Sequence, residues 1–371
     1  MKMVFVSNFL CHHQRPLTDV LAQECDFAFI ATTEFHQERR DMGWEEGTEP
    51  DYLCHYDRQP EKARAFLEEA QVVIAGSAPE ELISPCIRGG KLVLRYSERP
   101  LKKGSEWGKY LPRLIKWHIQ NPPGRNVRLL CASAYTASDY ARFALFRGRA
   151  YRWGYFPEFK PGNVQSLLEG KRPASLLWAG RFLEWKHPDD ALKVAARLKR
   201  DGYPFTLTVI GSGELEPKLK AMVSELDLAD RVTFPGAMSP EAVREYMEQS
   251  EIFLFTSDRQ EGWGAVLNEA MNSGCCCVAS KAAGASAYLV RHGENGILYP
   301  SGDEDALYRE VRSLLDAPER RRIMGEAAYE TIAQEWNPKT AARRLLSLCQ
   351  ELLSGKTPTL PASGPCSSAE G

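Results

Sequence analysis

Two glutamates enclose a glycine-rich stretch in the second half of the chain. Residues 261–269 read EGWGAVLNE, so Glu261 and Glu269 lie eight positions apart. The stretch follows an apolar run that predicts a buried strand, and it leads into a helical pattern beginning near Gly264. Free N–H groups at such a helix start attract anions, and glycine lets a ligand approach the backbone. An anion flanked by two acids suits a nucleotide-diphosphate sugar. The alternative is a solvated loop before an ordinary helix with two surface glutamates.

Two cations follow another predicted strand of the same half. Arg181 comes directly after the apolar run 175–180, and Lys186 lies five residues later. Cations at the end of a parallel strand could neutralise a departing diphosphate, although a pair of plain surface cations is the alternative. Glycine turns also end the runs 205–211 and 231–236. The turn after 205–211 does not complete GxGxxG, which disfavours a dinucleotide site.

Composition and length place the chain among soluble globular proteins. It has 371 residues, 43% of them hydrophobic and 26% charged, which predicts about two domains. No apolar run approaches the roughly 18 residues that span a bilayer, and the N-terminus lacks the features of a signal peptide. The ten cysteines form no CxxC pair, so a zinc site is not predicted. We therefore expect a cytoplasmic protein.

Apolar runs alternate with helical patterns along the chain, which predicts βαβ units and open parallel sheets. The fold class is α/β, and we predict two Rossmann-like domains facing across a cleft. The helical pattern at 188–200 is a clear example, with Pro188 in the first turn and Gly202 beyond the end. The strand candidates are 2–7, 27–32, 72–77, 91–96, 127–133, 175–180, 205–211, 231–236, 251–257, 275–280 and 295–300.

The domain boundaries follow from changes in this pattern. Residues 1–158 are predicted to form an N-terminal Rossmann-like domain, and 174–336 a C-terminal one. Residues 159–173 between them read as a linker. A helix over 337–353 is expected to return toward the N-terminal domain. The Ser/Pro/Gly-rich tail 354–371 is predicted to be disordered.

Several segments of the second half resemble retaining GT-B glycosyltransferases, the large family 4 group. They are AGRFLEWKH, VIGSGE, VTFPG and EGWGAVLNEAMNSGCCCVAS. The stretch EGWGAVLNE matches that family's E-x7-E motif in full. The resemblance is strong over about residues 173–335. It is looser in the first half, where SNFLCHHQRPL, RYSERP and GYFPEF resemble a bacterial subgroup that builds surface polysaccharide.

The resemblance implies that residues 1–158 form an acceptor-binding domain and 174–336 a nucleotide-sugar-binding domain, and it implies a role for each matching residue. Arg181 and Lys186 would hold the diphosphate of the donor. Glu261 would bind the hydroxyls of the donor sugar, and Glu269 those of the ribose. The remaining donor contacts, many of them through backbone, would fall on Gly180, Gly211, Phe234, Pro235, Gly236, Gly262, Trp263, Gly264, Val266 and Leu267.

The implied reaction transfers a sugar with retention of configuration, through front-face attack in which the leaving phosphate helps to take the acceptor's proton. No metal or other cofactor is expected. A UDP-sugar is the favoured donor, and a saccharide or lipid-linked saccharide is the expected acceptor. A nucleotide-sugar epimerase and a non-catalytic scaffold with the same fold are the alternatives.

The first half departs from the family's usual pattern at two strand ends. His12 and His13 follow the first predicted strand, and Glu98 and Arg99 follow the fourth. A neutral imidazole is a plausible base near pH 7, so His13 is a catalytic candidate beside the donor residues. The alternatives are a surface histidine pair at a helix start and a simple ion pair between Glu98 and Arg99.

Acidic and basic clusters elsewhere suggest further partners. Asp303, Glu304 and Asp305 form a DxD pattern, but acids are expected in the first turn of a helix, and we predict no metal there. The segment 102–118 mixes basic and aromatic residues within 87–160, where 16 Lys and Arg against 4 Asp and Glu give +12. It suits the inner face of an anionic membrane, or else a solvated helix packed on the core. No RNP, zinc or helix-turn-helix pattern favours nucleic acid.

Overall fold

The computed structural model describes residues 1–33, 48–104 and 107–369, and they form two compact units. The first unit contains the described residues up to Glu158, together with those from Asn337 onward. The second unit contains Phe159–Trp336. Each unit is built around one parallel sheet.

Seven strands form the sheet of the first unit, in the order β3-β2-β1-β4-β5-β6-β7. They are β1 Lys2–Ser7, β2 Asp26–Ala31, β3 Leu53–His55, β4 Val72–Ala75, β5 Leu92–Ser97, β6 Val127–Cys131 and β7 Ala150–Arg152. Six strands form the sheet of the second unit, in the order β10-β9-β8-β11-β12-β13. They are β8 Arg172–Ala179, β9 Thr206–Ile210, β10 Val232–Gly236, β11 Ser250–Phe255, β12 Cys276–Ser280 and β13 Ile297–Tyr299.

The strands are joined by helices that cover the sheets. In the first unit they are α1 Arg15–Glu24, α2 Pro60–Glu69, α3 Glu80–Arg88, α4 Tyr110–Gln120 and α5 Thr136–Ala141. In the second unit they are α6 Val164–Glu169, α7 Pro188–Arg200, α8 Glu216–Glu225, α9 Pro240–Gln249, α10 Val266–Asn272, α11 Ser286–Leu289, α12 Glu304–Leu315 and α13 Pro318–Gln334. The chain then returns to the first unit with α14 Pro338–Leu353, which packs on α1.

The strands are apolar because both faces of each sheet are covered. In β12 and the residue before it, Cys275, Cys276 and Cys277 are fully buried, so these thiols serve as small core groups. Every predicted strand is present, which confirms the α/β fold. The sequence reading missed β3 and β7, since three residues are too few to give a clear apolar pattern.

Residues 159–173 were predicted as a linker, and the structure corrects this. They belong to the second unit and contain α6, whose N-cap Asn163 accepts hydrogen bonds from the N–H groups of Gln165 and Ser166. Tyr329 of α13 accepts a hydrogen bond from the N–H of Gly162 (2.8 Å). These bonds and the packing of α6 on α13 hold the segment in place.

The tail 354–371 was predicted to be disordered, and part of it is ordered. Ser368 pairs antiparallel with Tyr151 of the edge strand β7. The N–H of Cys366 donates to the carbonyl of Arg152 (2.8 Å), and the N–H of Ala369 donates to that of Ala150 (3.1 Å). The prediction from composition was wrong for this part of the tail, because the free backbone groups of an edge strand offer hydrogen-bond partners to a polar segment.

Candidate functional site

The second unit places its candidate residues at the switch point of its sheet. The chain runs outward from β8 to β10 and then returns to form β11 on the other side of β8. Strand order therefore reverses between β8 and β11, and ligands of such sheets bind beyond the carboxyl ends of strands at this point. Lys186 follows β8, and Glu261 follows β11.

These two side chains form an ion pair. Lys186 Nζ lies 2.5 Å from Glu261 Oε2, and the two side chains are only 13% and 14% exposed. The hydroxyl of Ser257 donates to the same carboxylate oxygen (3.1 Å). The alternative of surface charges on a solvated loop does not describe Lys186 or Glu261, since both are largely withdrawn from water.

Side-chain and backbone bonds join the loops that carry this pair. Trp178 Nε1 donates to Thr256 Oγ1 (2.8 Å), and the Thr256 hydroxyl donates to the carbonyl of Lys186 (2.6 Å). The N–H of Asp258 donates to the carbonyl of Trp185 (2.8 Å). Sequence reasoning missed Thr256 and Ser257, although their position directly after β11 was a usable signal.

The glycine-rich stretch after Glu261 follows a path that only glycine permits at one position. Gly264 has φ of +93°, and a Cβ placed there would lie 2.3 Å from Phe255 Cζ. The Trp263 side chain is buried, and its Nε1 donates to Asn268 Oδ1 (2.8 Å). Trp263 can therefore offer a ligand only its backbone. Gly262 is also buried.

The helix after this stretch begins later than predicted. It starts at Val266 rather than near Gly264, because the left-handed φ of Gly264 cannot continue a helix. Val266 is half-buried, and Leu267 is fully buried in the core. Gly274 follows the helix with φ of +67°, as expected for a residue that ends it.

Glu269 lies on the same helix, α10, and is half-buried. Burial raises the pKa of Glu269 to about 7, with the charge of Arg244 opposing the rise and that of Glu241 adding to it. Arg244 itself is buried and donates to Asn272 Oδ1 (2.6 Å). The carboxyl of Glu269 is therefore poised to change charge near neutral pH.

The glycines at the other strand ends allow three loops to meet. A Cβ at Gly211 would lie 1.9 Å from the carbonyl oxygen of Gly180, so the loops after β8 and β9 touch at this point. The N–H of Gly211 donates to the carbonyl of Gly236 (2.9 Å), which brings in the end of β10. The rings of Phe182 and Phe234 meet edge to face at 6.2 Å. Pro235 is half-buried beside them.

Arg181 differs from Lys186 in its surroundings. It is exposed, and it forms no ion pair with the residues that the structure describes. The structure thus leaves one cation open to solvent beside the β8 end and holds the other against Glu261.

The acidic DxD pattern has a structural explanation. Asp303 caps α12 by accepting a hydrogen bond from the N–H of Ala306 (2.8 Å). Glu304 pairs with Lys193 (2.6 Å), and Asp305 pairs with Arg197. Lys193 also pairs with Asp189 and Asp190 at the start of α7, at 3.2 Å and 3.1 Å. The carboxylates of Asp189 and Asp190 and the ring of His187 have ligand atoms within 4.8 Å of one another. Lys193 already places a positive charge beside these two carboxylates.

The first unit groups polar residues at the carboxyl ends of its own strands. His12 and His13 follow β1, with ring centroids 3.7 Å apart, and His13 lies 6.4 Å from the ring of Tyr155. The Tyr155 hydroxyl donates to Glu98 Oε1 (3.0 Å), and Lys102 Nζ lies 3.0 Å from Glu98 Oε2. Sequence reasoning did not single out Tyr155 within GYFPEF.

Glu98 and Arg99 do not pair with each other, which corrects one alternative. Arg99 pairs with Asp139, a buried residue 40 positions away, at 3.2 Å. Neighbours in extended chain point to opposite sides, so each of the two finds a different partner.

The second unit resembles a glycosyl transferase domain. Residues 160–331 match the family model described as Glycosyl transferases group 1. This range contains the ion pair of Lys186 and Glu261 and the second-unit loops described above.

Curated relatives agree with this assignment. The chain is 31% identical over 206 residues to the amylovoran biosynthesis glycosyltransferase AmsK of Erwinia amylovora, covering 54% of this chain and 50% of that one. It is 27% identical over 187 residues to the putative colanic acid biosynthesis glycosyltransferase WcaL of Salmonella typhimurium, covering 48% and 46%. The chain thus spans about half the length of the curated relatives it matches.

Solved structures share the fold over nearly the whole chain. Alr3699/HepE of Anabaena, solved in complex with UDP, has a TM-score of 0.70 at 16% identity, covering 96% of this chain and 100% of that one. The apo lipopolysaccharide outer core galactosyltransferase WaaB has a TM-score of 0.69 at 15% identity, covering 94% and 98%. The fold is therefore the GT-B α/β fold. Among the described residues, every helix is too short or too polar to cross a bilayer.

Proposed function

We propose that this protein transfers a sugar from a nucleotide-diphosphate sugar to a saccharide or lipid-linked saccharide, with retention of configuration. It would be a family 4 hexosyltransferase of bacterial surface polysaccharide assembly. The observation that carries the proposal is the ion pair of Lys186 and Glu261 at the switch point of a glycosyl transferases group 1 domain.

The charges of the site support an assignment for each part of the donor. Arg181 and Lys186 would hold the diphosphate. The side chain of Arg181 is exposed to solvent, and that of Lys186 lies beside Glu261 of the E-x7-E motif. Glu261 would accept hydrogen bonds from the donor sugar, and Glu269 from the ribose. Catalysis would come mainly from cations placed where charge grows on the leaving diphosphate, a type of contact worth about 3–4 kcal/mol in the barrier.

The backbone supports a mode of binding for the rest of the donor. The loop of Gly262, Trp263 and Gly264 would contact sugar and phosphate, since the Trp263 side chain is buried. The meeting point of the β8, β9 and β10 loops, where Phe234 and Gly236 lie, would hold the base. A UDP-sugar is the favoured donor, and the complex of the structural neighbour HepE with UDP is consistent with that choice.

The acceptor's proton would pass to the leaving phosphate, so the mechanism needs no protein nucleophile. His13 and Glu98 are the first unit's candidates for acceptor contacts. With two cations assigned to the diphosphate, we propose that the reaction is independent of metal. The enzyme would work in the cytoplasm, at the inner face of the membrane when its acceptor is lipid-linked, with contact through residues 102–118.

A ligand panel tests the proposal. We would measure thermal unfolding with UDP, GDP, ADP, dTDP and CMP, without metal. A ligand at about 100 times its dissociation constant adds about 2.7 kcal/mol of stability. We expect a shift with one diphosphate that is lost in Lys186→Ala, followed by transfer of its sugar to an acceptor. No shift with any nucleotide would contradict a donor site, and epimerised donor without transfer would contradict the transferase.

A further inference from the structure

Helix α4 has two apolar faces, and only one of them is packed. Trp117 lies against Tyr140 and Phe143, with ring centroids 5.0 Å and 4.7 Å away, and Leu114 packs beside it on the core of the first unit. On the other face Leu111, Ile115 and Ile119 are 61%, 53% and 74% exposed. None of the helix's residues is fully buried.

The three exposed side chains form one continuous surface. Their spacing of four residues places them in a row along a single side of the helix, which we call the α4 ridge (Leu111, Ile115 and Ile119). No other described element buries any of the three ridge residues. Single exposed apolar residues are common on protein surfaces, but an ordered row of large aliphatic side chains indicates a contact surface.

The charged side chains of helix α4 itself have one sign. Helix α4 contains no Asp or Glu and carries Arg113 and Lys116. Helical spacing places Lys116 beside the ridge, on the same edge as Lys109 before the helix. The surrounding segment 87–160 has 16 Lys and Arg against 4 Asp and Glu, a balance of +12. Such a basic surface repels the same surface of a second copy and attracts an anionic surface.

We propose that the α4 ridge inserts into the interface of an anionic lipid bilayer while the lysines beside it contact lipid phosphates. An eleven-residue helix face is small against the roughly 800 Å² per partner of a stable protein interface, whereas three aliphatic side chains beside cations suit a reversible interfacial anchor. The inference rests on the proposed function, because it requires an acceptor that is lipid-linked. It also extends the predicted membrane-contacting segment, 102–118, to Ile119.

Vesicle flotation tests the ridge with the full-length protein. Phosphatidylcholine vesicles with and without phosphatidylglycerol serve as probes. We expect the wild type to float only with the anionic vesicles, and L111Q/I115Q/I119Q to bind them at least about tenfold more weakly. Lys109→Gln and Lys116→Gln should each weaken binding by about fivefold. Ile323→Gln is the matched control, because Ile323 is 52% exposed in the second unit, and it should bind as the wild type does.

Two further measurements separate the possible failures. The nucleotide-induced thermal shift and transfer to a water-soluble acceptor report the proposed function, and the ridge variant should keep both. Wild type that ignores anionic vesicles, or a ridge variant that binds them normally, would overturn the membrane contact alone. A wild-type dimer in light scattering that the ridge variant dissociates would overturn it in favour of a second copy.

Discussion

Lys186 Nζ and Glu261 Oε2 lie 2.5 Å apart, although the two residues are 75 positions apart in the chain. In the proposed function, the lysine binds phosphate and the carboxylate binds sugar hydroxyls. Donor binding would therefore have to break this ion pair. Lys186 would then contact a phosphate of the donor, and Glu261 would contact its sugar. The pair also keeps two poorly solvated charges compensated when no donor is bound.

Removing either member of this pair should abolish most activity. Lys186→Ala and Glu261→Ala are each expected to lower turnover by at least about 100-fold, because a charge contact to the donor is lost. Both should remain folded, with a loss in the free energy of unfolding of about 1–3 kcal/mol from the uncompensated partner. Initial rates and chemical denaturation measure the two effects, and near-normal turnover in either variant would refute the assignment.

The double variant Lys186→Met with Glu261→Gln separates the two roles of the pair. Neutralising both partners removes the buried charges together, so stability should recover most of the loss seen in the single variants. Activity should stay as low as in the single variants, because the donor contacts are still missing. A double variant with restored turnover would mean that the pair only supports the fold.

The raised pKa of Glu269 predicts a pH-dependent stability. Folding raises this pKa from 4.5 to about 7, so the folded protein binds more protons than the unfolded chain between these values. Stability therefore falls as pH rises from about 4.5 to about 7. Glu269→Gln removes the charged form and should stabilise the protein by about 1–2 kcal/mol at pH 8, and by less at pH 5.

Thermal unfolding at the two pH values measures this effect, with Glu330→Gln as the control because Glu330 is an exposed glutamate of α13. The control should change little at either pH. If Glu269 binds the ribose as a carboxylate, the same Glu269→Gln variant should bind nucleotide more weakly despite its greater stability. An equal gain at pH 5 and pH 8 would contradict the titration.

Gly264 should tolerate no side chain, for two additive reasons. Gly264→Ala places a Cβ in the left-handed region, which costs about 1–2 kcal/mol, and against Phe255, which lies in the core. Gly293→Ala is matched in φ, at +85°, but its Cβ would meet no atom within 4 Å. Chemical denaturation should show a larger loss for Gly264→Ala, and equal losses in the two variants would contradict the close contact with Phe255.

The ordered tail predicts a contribution to the first unit. Cys366 is buried where the tail joins β7, so Cys366→Asp should destabilise the protein by several kcal/mol. Leu360→Asp serves as the control, because Leu360 is exposed in the same tail. Thermal unfolding of the two variants measures the difference, and equal melting temperatures would show that the tail contributes nothing to stability.

Glu98 and Tyr155 offer a test on the acceptor side. Tyr155→Phe removes the hydroxyl that donates to Glu98, and we expect a several-fold rise in the acceptor's KM with donor binding unchanged. Glu98→Gln should act in the same direction and more strongly. A change in donor affinity of equal size would contradict a role confined to the acceptor.

Much of the scaffold could be predicted from the sequence because parallel sheets bury both faces of their strands. The boundaries of α7, at Pro188 and Arg200, and of α14, at Pro338 and Leu353, also agree with the sequence reading, since each begins with a proline that suits the first helical turn. Short elements such as β7 escaped notice, and so did the ordered tail that pairs with it. Both depend on partners distant in sequence, which a local pattern does not report.

The residues of the candidate site likewise differ in whether a local sequence pattern reveals them. Lys186 and Glu261 could be selected from their charge and their places after two apolar runs. Thr256 and Tyr155 were missed, because a hydroxyl's importance lies in what it touches: the carbonyl of Lys186 in one case and the carboxylate of Glu98 in the other. The true partner of Arg99, Asp139, lies too far along the chain for local reasoning to find.

The return of the chain to the first unit has a consequence for synthesis. The first unit needs α14 and the strand partner around Ser368, which leave the ribosome after the whole of Phe159–Trp336. The second unit, although it comes later in the chain, is therefore the first to have all its residues available. Until translation reaches the tail, the nascent chain carries an unfinished edge at β7, which makes this strand a point where the growing polypeptide is exposed to wrong pairing.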